Sequence, residues 1–277
     1  MIKTAQVRQL VSKPTQYELI LSQANASAQR QKRILFAIVF ICFVALWITG
    51  FFDLTRFIDG GPAIAQLATE MVPPDFTRWR HWLTPLLDTL AMSIAGTALA
   101  IVISLPLALL AAPNTTPSLV IARLVRVILS AMRSVPEIIL GILFVAAVGF
   151  GALPGVLALA LHSVGMVGKF FAEAIEHVDP KPLEAARAAG GNGYQVIVHA
   201  VLPQVIPQLT DITIYRWEYH FRASAVLGIV GAGGIGFELM AALRLIKYDE
   251  VSAILLTILA CVVVVDGIGS RLRKSLK

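Results

Sequence analysis

Three clusters of residues in this chain have types and spacings that could do chemistry. The first is Glu184-Ala185-Ala186-Arg187-Ala188-Ala189-Gly190, followed downstream by Leu202-Pro203. This stretch is polar and helix-forming, yet it lies between two long apolar runs. A chain built for lipid keeps such a segment in water to dock a soluble partner. Glu184 falls in the first helical turn, where a negative charge suits the helix dipole, and it can pair with a basic residue on a partner. The alanines permit close approach and favour the helix, and Gly190 ends it. The second cluster is Asp211, Arg216, Glu218, His220 and Arg222, crowded into one apolar run. Asp211, Tyr215, Glu218 and Arg222 share a helical face, and Glu218 and Arg222 are spaced to pair. Charges at membrane depth are costly unless they face protein or water. They fit a path in which Arg216 or Arg222 meets an anion, and equally an internal ion-pair network. The third cluster, Gly231, Gly233, Gly234 and Gly236, spells Gly-x-Gly-x-x-Gly. No strand precedes it and no βαβ unit surrounds it, so it is not a dinucleotide site. A tight, gating turn at the end of a membrane span is the role it fits.

Other chemistry is excluded by missing motifs. A phosphate-binding loop needs Gly-x-x-x-x-Gly-Lys-Ser/Thr. The nearest approach, Gly168-Lys169, is followed by Phe170 and has Ser163 where the first glycine should stand. Neither His-Glu-x-x-His nor Gly-x-Ser-x-Gly occurs, which leaves an intramembrane enzyme built on Glu218 and His220 without a motif. No cofactor or metal is expected in this chain.

The elements that position these clusters are membrane spans. Hydrophobic residues make up 57% of the 277 and charged ones 14%, against roughly 25% charged in a soluble domain. The net charge of +6 comes from basic residues at chain ends and short loops, where they set topology beside anionic lipid. It is not a nucleic-acid footprint. Cys42 and Cys261 fall inside apolar runs and read as small hydrophobes. With about 20 apolar residues needed per crossing, six segments qualify: Ile34–Phe52, Thr89–Ala112, Ser134–Phe150, Leu153–Ile175, Val205–Val230 and Val251–Ser270. Residues 1–33 form a polar leader, 34–270 the membrane domain and 271–277 a basic tail. With the amino terminus inside, inner segments hold 15 lysines and arginines and outer segments 5. Both termini, and the Glu184 segment, are therefore expected in the cytoplasm. Between the second and third spans, Arg123, Arg126, Ser130 and Arg133 form one helical stripe. This segment is either an interfacial helix or the start of a long third span bent near Pro136. The outer loop 53–85 is long enough for a small surface element.

The spacing Glu184-Ala185-Ala186, Gly190, Leu202-Pro203 resembles the EAA coupling loop of ABC-importer permeases, with Ala200 where that pattern has isoleucine. Tyr215-Arg216-Trp217-Glu218, Arg222-Ala223-Ser224, the run Gly228–Gly236 and Arg133-Ser134-Val135-Pro136-Glu137 are similar to phosphonate-type permeases, the last pattern being shared with methionine-type ones. The resemblance covers roughly residues 80–275. It implies an all-α polytopic protein with about six spans and a cytoplasmic coupling loop over 180–203, sited in a bacterial inner membrane. It further implies import of phosphonate, phosphite or hypophosphite by a permease dimer, with a homodimer expected. Two ATP-binding cassette subunits and an extracytoplasmic substrate-binding protein would complete the machine. In the family, Glu184, Ala185, Ala186 and Gly190 would sit in a groove of the ATP-binding subunit. An amino-acid importer is the rival within the class, and a passive channel the rival outside it that needs no motor.

Overall fold

A computed structural model describes residues 16–275, with side chains from Ser27 onward. The first fifteen residues of the polar leader and the last two of the basic tail lie outside the described residues. Eleven α-helices follow one another, and no strand occurs among the described residues. The chain divides into two units, residues 1–66 and 67–277.

In the first unit, α1 (Gln16–Ile48) carries the first apolar run. Its side chains from Ile34 to Ile48 are mostly exposed, as a lipid-facing helix requires. Phe43, Trp47 and Phe52 form a ring cluster with centroids 5.3–6.4 Å apart at the turn ending the helix. After the turn comes α2 (Leu54–Glu70), an amphipathic helix with no buried residue. This is the surface element anticipated in the outer loop, and its last turn falls in the second unit.

The second unit is built around α3 (Leu83–Ala111) and α6 (Ala152–Glu176). Small residues line their approach: a Cβ at Gly96 of α3 would meet Leu159 of α6 at 3.0 Å, and the Ser104 hydroxyl donates to the Val164 carbonyl at 3.3 Å. Lipid offers no hydrophobic drive between helices, so close approach over small residues and polar cross-bonds hold such a pair. At Gly165 a Cβ would come within 2.5 Å of the Leu129 carbonyl oxygen, so the crossing with α4 depends on that glycine.

The third expected span is not one straight helix. It consists of α4 (Leu119–Ser134) and α5 (Glu137–Val148), bent by 83°. Pro136 forces the bend because it lacks an N–H and pushes Val135 out of helical space; Val135 sits at φ −88°, ψ 121°. The 12 residues of α5 rise about 18 Å, short of the ~30 Å hydrocarbon core. Among the described residues, five helices are long and apolar enough to cross a membrane, and the broken pair makes a sixth crossing when taken as one span.

The expected fifth span also extends further than its apolar run. Helices α7 (Pro180–Ala188) and α8 (Gly193–Val196) follow α6. From Gly193 the chain is helical through a π-turn at Ile197–Val201 and α9 (Leu202–Leu227) into a second turn at Gly228–Ala232, where Gly231 (φ 103°, ψ 7°) breaks the helical path. Pro203 is tolerated in the first turn of α9. The short α10 (Ile235–Arg244) and the final span α11 (Tyr248–Ser275) complete the fold.

Candidate functional site

The polar loop is a rigid, doubly capped element. Asp179 caps α7 by accepting a hydrogen bond from the Lys181 N–H, with Pro180 at the first helical position. The helix ends at Gly190, φ +84°. The Gly191 N–H donates to the Ala186 carbonyl at 3.0 Å and the Gly190 N–H to that of Arg187 at 3.0 Å, the pair of bonds of a Schellman stop. Asn192 and Gln195 then form a reciprocal capping box that starts α8. Gln204 closes the loop by accepting from the Asp179 N–H at 3.0 Å and donating to the Ala200 carbonyl at 2.6 Å.

One side of this element is buried and the other is free. Leu183, Val196, Ala200 and Val201 join the core that also holds Ala111, Val125, Phe171 and Ile175. Ala200, where the family pattern has isoleucine, is 4% exposed, a place for a small apolar residue. Glu184, Ala185, Ala188, Ala189 and Gly190 are exposed, and a Cβ at Gly190 would meet nothing within 4 Å. Replacing Leu183 by alanine is expected to cost about 2–4 kcal/mol and to unseat the loop. Amide exchange over 180–201 should quicken while α3 and α6 stay protected; unchanged exchange would show that Leu183 does not hold the loop down.

The charged cluster of α9 separates into different environments. Arg222 and Glu218 do not pair with each other. The Arg222 Nη1 lies 2.9 Å from Asp266 Oδ1, and Glu218 Oε1 lies 2.9 Å from Arg273 Nη1, both partners being on α11. The side of α9 that carries Glu218 and Arg222 faces α11, so the cross-helix partners are nearer than the one a turn away. Tyr215 is 57% exposed and Asp211 half-buried, so the stripe Asp211, Tyr215, Glu218, Arg222 is not one continuous contact surface. Lys169 and Glu173 do pair within α6, at 3.3 Å.

Arg216 points the other way, into the bundle, and is 3% exposed. Its Nε–H donates to Ser163 Oγ at 2.8 Å. The Ser163 hydroxyl lies 2.5 Å from His220 Nε2, and His220 Nδ1 lies 2.7 Å from Thr97 Oγ1, which itself donates to the Ser93 carbonyl. Since Thr97 spends its proton on Ser93, His220 must donate from Nδ1 and accept from Ser163 at Nε2. A chain of hydrogen bonds thus runs from Arg216 through Ser163, His220 and Thr97 to Ser93. On its other face the guanidinium lies over the Tyr219 ring, 4.2 Å from the centroid. The Tyr219 hydroxyl donates to Glu137 Oε1 at 2.8 Å.

These groups share one depth. Ser163 lies eleven residues into α6 and His220 twelve residues before Ala232, about 17 and 18 Å along their helices. Glu137 opens α5, about 18 Å from that helix's far end. Half of a ~30 Å core is about 15 Å, so the network lies near mid-membrane. Glu137, Tyr219, Ser163 and Thr97 were not singled out as site residues from the sequence. Only Glu137 carried a signal, as the last residue of the Arg133–Glu137 pattern.

The glycine run closes one end of this region. Gly231, Gly233 and Gly234 have φ of +103°, +74° and +71°, values that residues with a Cβ resist. Gly236 has no such angle, but its Cα packs on the backbone of Ala225 and Gly228, leaving no room for a side chain. The turn brings the Ile235 N–H to Thr89 Oγ1 at 2.9 Å.

A helical bundle of membrane-spanning length, with one span broken, is that of a multi-pass membrane protein. Residues 104–277 match the family described as binding-protein-dependent transport system inner membrane component, and the chain belongs to that family. It is 64% identical over 242 residues to the phosphite transport system permease protein PtxC of Stutzerimonas stutzeri, covering 87% of this chain and 88% of that protein. It is 41% identical over 233 residues to the phosphate-import permease protein PhnE of Mycolicibacterium smegmatis, covering 84% of this chain and 44% of that longer protein. Among solved structures, the methionine ABC transporter MetNI in an inward-facing form superposes with a TM-score of 0.62 at 23% identity, covering 71% of this chain and 96% of that one. That likeness establishes the fold.

Proposed function

We propose that this permease carries phosphonate or a related phosphorus oxyanion, such as phosphite or hypophosphite, inward across the inner membrane with both of its own termini in the cytoplasm. The observation that carries the substrate class is the 64% identity to a phosphite transport permease over nearly the whole of both chains. A buried arginine on α9 with an unengaged nitrogen suits an anionic group on the cargo. Energy comes from ATP and Mg held by two separate ATP-binding subunits, each docking on one copy of the loop 180–203. An extracytoplasmic binding protein delivers the substrate, and two copies of this chain form the pathway between them.

The geometry supports a lever mechanism. A push on Glu184, Ala185, Ala186 and Gly190 reaches α8 through their shared caps. From there it passes Leu202 and Pro203 and runs along the helical stretch that begins at Gly193 to its break at Gly231, and on to Gly233, Gly234 and Gly236. That stretch is about 60 Å long, with a π-turn near each end where the register can slip. Along it lie Asp211, Tyr215, Arg216, Glu218 and Arg222, which bring the path within the lever's reach. Each state of the motor must bind the loop differently for this to work.

The test is ATP-driven uptake into liposomes holding the permease, its ATP-binding subunits and its binding protein. Methylphosphonate, phosphite, hypophosphite and methionine would be compared. Uptake of a phosphorus oxyanion is expected, and cross-linking of the same preparation should trap permease dimers. Uptake of methionine alone would overturn the substrate assignment, and monomers alone would overturn the homodimer.

A further inference from the structure

Two complementary atoms in the intramembrane network have no hydrogen-bond partner: Arg216 Nη2, a donor, and Glu137 Oε2, an acceptor. Both are closed off from solvent, and both belong to charged groups that meet at Tyr219, whose ring lies under the guanidinium and whose hydroxyl holds the carboxylate. An unsatisfied buried polar atom costs more than a bond made and lost. Two of them beside one tyrosine call for a ligand that accepts at one end and donates at the other.

Resting on the functional reading above, we propose that Glu137, Tyr219 and Arg216 form a filter for oxyanions that still carry a P–OH proton. Arg216 Nη2 donates to an anionic oxygen of the cargo, and Glu137 Oε2 accepts the cargo's own O–H. The helix N-terminus at Glu137 adds a positive end of the α5 dipole to the same place. Monoprotonated phosphite and the methylphosphonate monoanion each offer one O–H and charged oxygens. Sulfate offers no O–H, and hypophosphite offers only P–H bonds, so each sets lone pairs against a carboxylate, and the filter narrows the cargo named above to phosphite and phosphonate. Until cargo arrives, Glu137 serves as the resident anion for the region around Arg216. The bend at Val135-Pro136, where the His162 ring nitrogen Nδ1 meets the Val135 carbonyl at 3.0 Å, is the joint about which α5 can carry Glu137 away.

Three side chains divide the work, so three substitutions separate it. Glu137 reads the proton, Arg216 binds the charge, and Tyr219 positions Glu137. A charge-assisted hydrogen bond set against a repulsion gives a preference of at least about tenfold.

The experiment is phosphorus NMR line broadening of phosphite by the complete transporter complex in lipid nanodiscs, binding protein omitted. It would be run with and without a non-hydrolysable ATP analogue, so that the site opens in at least one state. Sulfate and hypophosphite are expected to compete at least about tenfold more weakly than methylphosphonate. Glu137→Gln should bring all four anions within about threefold of each other, because the amide both donates and accepts. Tyr219→Phe leaves both charges in place and should cut the preference in the same direction. Arg216→Lys should weaken every anion alike. No broadening in either state, equal competition by sulfate in the unaltered complex, or a preference retained in both the Glu137 and Tyr219 variants would overturn the filter. Uptake measured on the same preparation separates the two failures: oxyanion uptake without the preference overturns the filter alone, and no oxyanion uptake overturns the functional reading as well.

Discussion

Replacing Glu184 by lysine is expected to abolish ATP-driven uptake while the chain remains in the membrane in normal amount. Glu184 is exposed, lies in the second turn of α7 (Pro180–Ala188) rather than in the first turn expected for it, and has no ion pair among the described residues, so little within the chain is lost when its charge reverses. A docking carboxylate facing a basic residue would become a like-charge contact. Truncating one partner of such a pair costs about 2–5 kcal/mol, equivalent to a loss of about 30-fold or more in affinity for the motor. Gly190→Leu approaches the same surface by shape instead of charge. Its local cost is about 1–2 kcal/mol for a left-handed backbone, since no atom of this chain lies within 4 Å of the added Cβ. A large loss of uptake from so small a local cost must arise in the partner. The measurement is uptake beside membrane-fraction abundance and co-purified ATP-binding subunit. Normal uptake in both variants would refute the docking role.

The loop was legible in the sequence because everything that shapes it is local. Pro180 at the helix start, Gly190 at its end and Asn192 with Gln195 after it each act within four residues. The spans were legible by length, and the break in the third was legible at Pro136. What local pattern does not report is which helix a face meets. Glu218 and Arg222 are four apart and spaced to pair, yet each finds a partner on α11, 44 or more residues away. The link from Glu137 to Tyr219 crosses 82 residues, and no periodicity encodes it. Proline also misleads when used as a stop. The Leu202-Pro203 step reads as a boundary, but the π-turn at Ile197–Val201 leads into it and the helix continues through both Pro203 and Pro207. The glycine run was legible as a turn because three of its members take angles that only glycine holds cheaply.

The second large effect is expected at Arg222, and its design follows from the pair the structure reveals. Arg222→Ala would leave Asp266 without its partner 2.9 Å away, in a helix that must lie in the bilayer. Asp266 lies in the second half of α11 (Tyr248–Ser275), where a lone aspartate costs at most the about 2.5–3.5 kcal/mol of a helix centre on insertion-derived scales, so the assembled complex should fall by about tenfold. If the pair serves only to hold α9 to α11, Asp266→Ala on top of Arg222→Ala removes both charges and should restore assembly and uptake together. If Arg222 also touches cargo, the double variant should assemble yet transport poorly. We expect full restoration, because Arg222 is occupied by Asp266 while Arg216 has a free nitrogen turned into the bundle. Detergent-extracted complex yield and liposome uptake, measured on the same two variants, decide it. A double variant that assembles normally but has lost uptake would move the anion path to the α11 side of α9. That result would also remove the reason for placing the oxyanion against Arg216.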